Sequence, residues 1–222
     1  MQYSASIICL NLLELGDEIR RLEKASIDTL HADLIDGHFA KNLGLSIKSL
    51  SFIRKHTKLP IDIHLMTKRP DLYFDYLPEG KFNLLIHINS LNKNNLNFYK
   101  DKIKNNHNLS LGLFMTTKDK IDEKIIDEIR PYKILTLVVR PGFTGGKFIF
   151  KSIDNINRLN FLRKKNGHNF IIEADGAVGP NTIENLAQAG CNSVVIGTTI
   201  FRNNKVDLNS FLNFKKTSST FA

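Results

Sequence analysis

Eight short apolar runs, each trailed by a stretch with helical spacing, recur at intervals of about 20–35 residues. They fall at 4–8, 29–34, 61–66, 82–88, 109–115, 134–139, 170–175 and 193–197. Most are continuous rather than alternating, which suits strands buried on both faces. Between the first two, residues 12–25 set Leu12, Leu15, Ile19 and Leu22 at helical spacing, with Glu, Asp and Arg opposite. Pro180 and Gly190 bracket a helix predicted over 181–189. Strand followed by helix, eight times over, predicts an α/β fold: a single-domain (β/α)8 barrel covering residues 1–222. A doubly wound open sheet would carry a glycine fingerprint after its first strand. Here that strand runs out in Cys9, Leu10 and Asn11, and no glycine follows until Gly16. Residues 93–108 read as an Asn- and Lys-rich surface helix and loop.

Composition narrows the function classes. Hydrophobic residues at 42% are enough for a substantial core. No run approaches the length of a membrane span. The opening residues Met1 to Ser4 lack the basic start and apolar stretch of a signal peptide. Two cysteines, Cys9 and Cys191, without CxxC spacing point to a reducing interior, so a cytoplasmic location is expected. The net charge of +9 raises nucleic acid as a partner. The lysines, however, are scattered among acidic residues and are not interleaved with aromatics. A solvated basic surface follows, with a modest pull on anionic substrates.

In such a barrel the functional side chains gather where the strands run out. In the second run His31 and Asp33 stand two apart and share a strand face, and Asp62 and His64 repeat the pattern in the third. The seventh ends in Glu173-Ala174-Asp175 before the turn glycine Gly176. One histidine on an apolar strand is usually a hydrogen-bonded core residue, and an Asp at a strand end usually caps a helix. His31, Asp33, His64 and Asp175, brought to one rim by closure, are harder to explain that way. Two imidazoles and two carboxylates suit Zn²⁺, Mn²⁺, Fe²⁺ or Co²⁺, or an acid/base pair. Glycines follow the sixth, seventh and eighth runs: Gly142, Gly145 and Gly146, then Gly176, then Gly197. Backbone N–H groups free to approach an anion on neighbouring strands make a phosphate cradle.

These motifs resemble the ribulose-phosphate 3-epimerase family from about Ser4 to Phe201. Residues 31–39 are similar to its HxDxMDGxF, and Asp62 to Met66 match its DxHLM. Pro141-Gly142-Phe143 opens its PGFGGQ loop, Asp175-Gly176 its DGG, and Gly197-Thr198 its terminal GS or GT. The resemblance implies that His31, Asp33, His64 and Asp175 bind one divalent ion, with zinc placed ahead of iron, manganese and cobalt. It implies that Asp33 and Asp175 act as acid and base on opposite faces of the substrate. Ser6, His64 and Met66 would contact the sugar. Gly142, Phe143, Thr144, Gly145, Gly176, Ala177, Gly197 and Thr198 would hold its phosphate.

The implied reaction interconverts D-ribulose 5-phosphate and D-xylulose 5-phosphate by proton transfer at C3 through an enediolate, a step of pentose phosphate metabolism. The expected partners are that substrate and further copies of the chain, with neither nucleic acid nor membrane. Departures from the family pattern are Ile35, Leu137, Arg140, Gly146 and Ala177. Ser6 to Cys9, Leu45-Ser46 and Lys68 to Pro70 lean toward the branch that epimerises D-allulose 6-phosphate to D-fructose 6-phosphate. Arg140, Gly146 and Ala177 leave room for a non-catalytic sugar-phosphate binder. A Schiff-base aldolase would want a lysine at a strand's C-terminal end, and only Lys133, at a strand entry, comes near. His87 reads as structural, His38 as part of the loop after the second strand, and His56, His107 and His168 as surface residues. Cys9 reads as a small buried side chain near the site.

Overall fold

The computed structural model describes residues 1–202 and 205–221. Eight parallel strands pair in chain order and close, the first against the eighth. They are β1 (Gln2–Ser6), β2 (Thr29–Ile35), β3 (Ile61–Met66), β4 (Phe82–His87), β5 (Leu109–Met115), β6 (Lys133–Leu137), β7 (Ile171–Asp175) and β8 (Ser193–Ile196). The helices are α1 (Leu15–Lys24), α2 (Ile47–His56), α3 (Leu96–Lys104), α4 (Glu123–Ile129), α5 (Ser152–Lys165), α6 (Ile183–Gln188) and α7 (Leu208–Ser219). A two-stranded ribbon, β9 (Phe201–Arg202) with β10 (Lys205–Val206), leads into α7. No helix of the described residues is long and apolar enough to cross a membrane.

The continuous apolar runs are the barrel strands because alternate residues face two different cores. Outward-facing Leu30, Ala32, Ile63, Leu65 and Ile172 pack with Leu22, Ile53, Ile126, Leu159 and Leu186 of the helices. Inward-facing Ile35, Met66, Leu85, Phe114, Leu135, Leu137 and Val195 form a smaller cluster. A strand buried on both faces has no polar side to alternate with.

Several boundaries differ from the sequence expectation. β1 begins two residues early, at Gln2, and also ends two residues early, at Ser6, because Ile7–Cys9 turn into a 3-10 helix at the rim. Leu12 lies in a second 3-10 turn, Leu12–Glu14, and is 53% exposed; only Leu15, Ile19 and Leu22 of that series are buried. The element after β3 is a 3-10 helix, Pro70–Tyr76, rather than an α-helix. The helix after Pro180 is shorter than expected, with Thr182 at its N-cap and Gly190 beyond it at φ +98°.

Candidate active site

The ends of β2, β3 and β7 converge on one point. Nε2 of His31 lies 3.2 Å from Oδ1 of Asp33 and 3.7 Å from Oδ2 of Asp175. Nδ1 of His64 lies 3.0 Å and 3.6 Å from the same two oxygens. The four donor atoms all sit within 4.8 Å of one another. Donors about 2.1 Å from a tetrahedral ion would be spaced by roughly 3.4 Å, so the observed gaps match a divalent-metal cage. The β2–β3 register sets Asp33 beside His64, which puts two of the donors on adjacent strands at one level. The imidazoles meet edge to face with centroids 5.2 Å apart, and Phe114 closes on His64 at 4.3 Å. Each ring turns one nitrogen, Nε2 of His31 or Nδ1 of His64, to the carboxylates, and its other nitrogen is buried without a hydrogen-bond partner among the described residues.

Electrostatics separate the two carboxylates. Burial pushes Asp33 up, but the His31 charge and hydrogen bonds with His31 and His64 outweigh it, so its carboxyl titrates well below the usual range. Burial also pushes up Asp175, His31 opposes, and the charges of Asp33 and Glu173 add, leaving it at about 7. Burial pulls His31 down, while Asp33, Asp175 and Glu173 more than reverse this and carry it to about 9. Burial dominates at His64 and lowers it.

A cavity of about 350 Å³ opens above this cluster. Asp33 and Asp175 form part of its wall, together with Ser6, Met66, Gly142, Phe143, Thr144, Gly145, Gly176, Ala177, Gly197 and Thr198. All but two of the residues expected at the site therefore line one space. His31 and His64 are fully buried beneath it and reach it through the carboxylates. Ser6 Oγ donates to Asp33 Oδ2 at 3.2 Å. Arg140 and Gly146 also line the cavity.

The loops around the cavity are laced to each other. Asn42, which no motif or periodicity marks, donates from Nδ2 to the Gly142 carbonyl at 2.5 Å and ties the β2 loop to the β6 loop. Thr199 Oγ1 donates to the Val178 carbonyl, joining the β7 and β8 loops. Thr182 Oγ1 donates to the Ala177 carbonyl at 3.1 Å. Gly176 sits at φ +102°, where a Cβ would meet Val139 at 2.3 Å, so only glycine fits.

The other sequence candidates fall outside the cluster. His87 Nε2 pairs with Asp119 at 2.7 Å and lies against Phe39 and Phe114. His38 and His107 are exposed, whereas His56 and His168 are half-buried. His56 lies over Gly16, and His168 pairs with Asp127 at 2.9 Å. Cys9 lines the cavity, and burial pushes its thiol up to about 11, so it stays protonated. Lys133 is buried between Asp62 and Glu173 at 2.5 and 2.8 Å. Burial pulls its ammonium down, but the two carboxylates outweigh that and hold it above its ordinary value, which no Schiff-base lysine could use.

The model of the ribulose-phosphate 3 epimerase family matches residues 2–201. The chain belongs to that family. As a member it is an isomerase of the epimerase type. It is 32% identical to a ribulose-phosphate 3-epimerase of Aquifex aeolicus, over 84% of this chain and 83% of that one. It is 30% identical to the cytoplasmic isoform from Oryza sativa subsp. japonica, over 88% and 85%. Among solved structures, the 3-keto-L-gulonate-6-phosphate decarboxylase of Vibrio cholerae is similar in fold at TM-score 0.69 and 11% identity, covering 100% of this chain and 98% of that one. That likeness shows the barrel alone. The His/Asp cluster at the rim of this barrel could hold a metal ion.

Proposed function

We propose that the protein interconverts D-ribulose 5-phosphate and D-xylulose 5-phosphate, with Asp33 and Asp175 exchanging the proton at C3. The observation that carries this reading is the opposed proton affinity of two carboxylates in one cavity wall. In the metal-free fold Asp33 is ionised near neutrality and can accept a proton, while Asp175, at about 7, passes between its two forms and can both take and give one. Removal of the C3 proton sends its bonding electrons toward the C2 carbonyl oxygen, forming an enediolate. The second carboxylate then delivers a proton to the opposite face of C3, and in the reverse direction the two exchange roles. Ser6, through its hydrogen bond to Asp33, orients the base, and Met66 supplies an apolar wall.

His31, Asp33, His64 and Asp175 are the residues that would hold one divalent ion, zinc first and Fe²⁺, Mn²⁺ or Co²⁺ as alternatives. Bound there, it would supply positive charge beside the oxygens on which negative charge develops. The loops carrying Gly142 to Gly145, Gly176 with Ala177, and Gly197 with Thr198 would hold the phosphate through backbone N–H groups, anchoring the end that does not react. Residues 1–222 would serve as one catalytic domain, cytoplasmic, in a homo-oligomer.

Proton exchange at C3 in D2O tests the reading. Deuterium should enter C3 of ribulose 5-phosphate faster than C3 of D-allulose 6-phosphate. Faster exchange with the hexulose would reassign the substrate to the allulose 6-phosphate branch. No exchange with either sugar would retire the catalytic reading in favour of a sugar-phosphate binder.

A further inference from the structure

Beneath the ligand cluster lies a second set of buried charges that the proton transfer does not use. Lys133, at the start of β6, is 2% exposed, and Asp62 and Glu173 are fully buried. Its ammonium donates to Asp62 Oδ2 at 2.5 Å and to Glu173 Oε1 at 2.8 Å. Ser4 and Ser193 donate to the same Glu173 oxygen at 2.6 and 2.7 Å. Asn83 and Tyr132 donate to Asp62 Oδ1 at 2.7 and 3.0 Å. One network thus reaches from β8 and β1 across the barrel to β4.

Its position follows from the register. Asp62 precedes His64 on β3 by two residues, and Glu173 precedes Asp175 on β7 by two, so each carboxylate shares a strand face with a donor of the cluster above. Two residues of strand separate them by roughly 6.6 Å. In a closed ring of eight, β3 and β7 stand four strands apart, on opposite walls. They share no backbone ladder. Lys133, reaching in from β6, is the ionic link between those walls directly under the donors they carry.

We infer that Lys133, through Asp62 and Glu173, is a positioning residue that sets the span between β3 and β7 and with it the spacing of His64 and Asp175. The inference rests on the reading that these donors hold a divalent ion. A cage of four donors tolerates little change in spacing, and groups that orient ligands from outside the coordination sphere commonly govern affinity. Buried ion pairs are poor stabilisers of a fold relative to neutral replacements, so stability alone does not explain this one.

The test uses the full chain and Co²⁺, whose visible absorption reports coordination geometry independently of turnover. The variant carrying Lys133→Met, Asp62→Asn and Glu173→Gln removes the bridge without stranding a buried charge. It should keep a urea midpoint near that of the parent while binding Co²⁺ at least tenfold more weakly, with shifted absorption bands, within the roughly 10–100-fold range for losing such partners. Affinity within twofold of the parent and unchanged bands would overturn the inference. Should that variant fail to fold, Ser193→Ala removes one donor from Glu173 and no charge. A Co²⁺ affinity lowered by roughly two- to tenfold, the weight of one hydrogen bond, supports the inference, and an unchanged affinity overturns it. If the parent itself bound no Co²⁺, the metal reading would fail instead, which separates the two outcomes.

Discussion

The mouth and the floor of this barrel both set carboxylates on the inward faces of its strands, and two strands contribute to each. β3 carries Asp62 and then His64; β7 carries Glu173 and then Asp175. At the floor each acidic group meets the Lys133 ammonium, and serines, an amide and a phenol complete the shell. At the mouth the imidazoles and carboxylates lean on one another, and no Lys or Arg of the described residues pairs with them. A carboxylate on an inward strand face therefore does not by itself distinguish structure from chemistry here. What distinguishes them is whether the protein has already answered the charge. The floor is closed to anything from outside, while the mouth opens on a cavity.

If that contrast is right, the largest effects belong to the mouth. Asp33→Asn should lower kcat by about 10²–10⁴-fold, the usual weight of a general acid or base, measured by conversion of ribulose 5-phosphate in a coupled assay. Asp175→Asn should match it. Turnover within a few-fold of the parent in either variant would break the assignment of the pair and, with it, the difference drawn between mouth and floor.

The next effect is electrostatic. Asp175, raised to about 7, and His31, raised to about 9, both hold protons in the metal-free fold more tightly than when exposed. A group raised in this way contributes stability that is complete below its ordinary value and lost as pH climbs through the folded one. The metal-free protein should therefore melt progressively lower between about pH 6.5 and 9, above the range in which His64, lowered by burial, pulls the other way. Zn²⁺ affinity should move the opposite way, because the ion must displace those protons: two below pH 7 and one between 7 and 9. Each displaced proton is worth about tenfold in affinity per pH unit, readable by chelator competition. A flat profile would mean the mouth is already deprotonated, and the contrast with the floor would shrink to geometry.

How much of this could be read from the chain itself follows the same line. The eight strands were legible because double burial leaves continuous apolar runs. Their order followed because closure needs no long-range information beyond strand and helix in turn. His31, Asp33, His64 and Asp175 were legible as polar residues where such runs end. Lys133 was visible only as a lysine at a strand entry, since what it touches depends on strands four apart in the ring. Asn42 sits in a loop with no periodicity to mark it, and its carbonyl partner lies 100 residues away. The 3-10 turns at Ile7–Cys9 and Leu12–Glu14 escaped because a leucine at helical spacing looks the same whether or not the helix has begun.

The smallest expected effect concerns how the mouth is held open. Ala177 adopts φ +48°, a left-handed conformation that costs a side-chain-bearing residue about 1 kcal/mol relative to glycine. It follows Gly176, itself at φ +102°, and its carbonyl is pinned by Thr182. Gly176 and Ala177 both line the cavity, so the strained turn lies where the phosphate is proposed to bind. Glycine at 177 would relieve the strain but give the unfolded chain more freedom, so Ala177→Gly should stabilise by only about 0.5 kcal/mol. That corresponds to a melting midpoint higher by roughly 1–2 °C for a chain of this size. A midpoint that falls would show that the methyl group packs well enough to offset its own backbone. The strained turn would then be held by contacts, as the floor is, rather than tolerated for what it presents to the cavity.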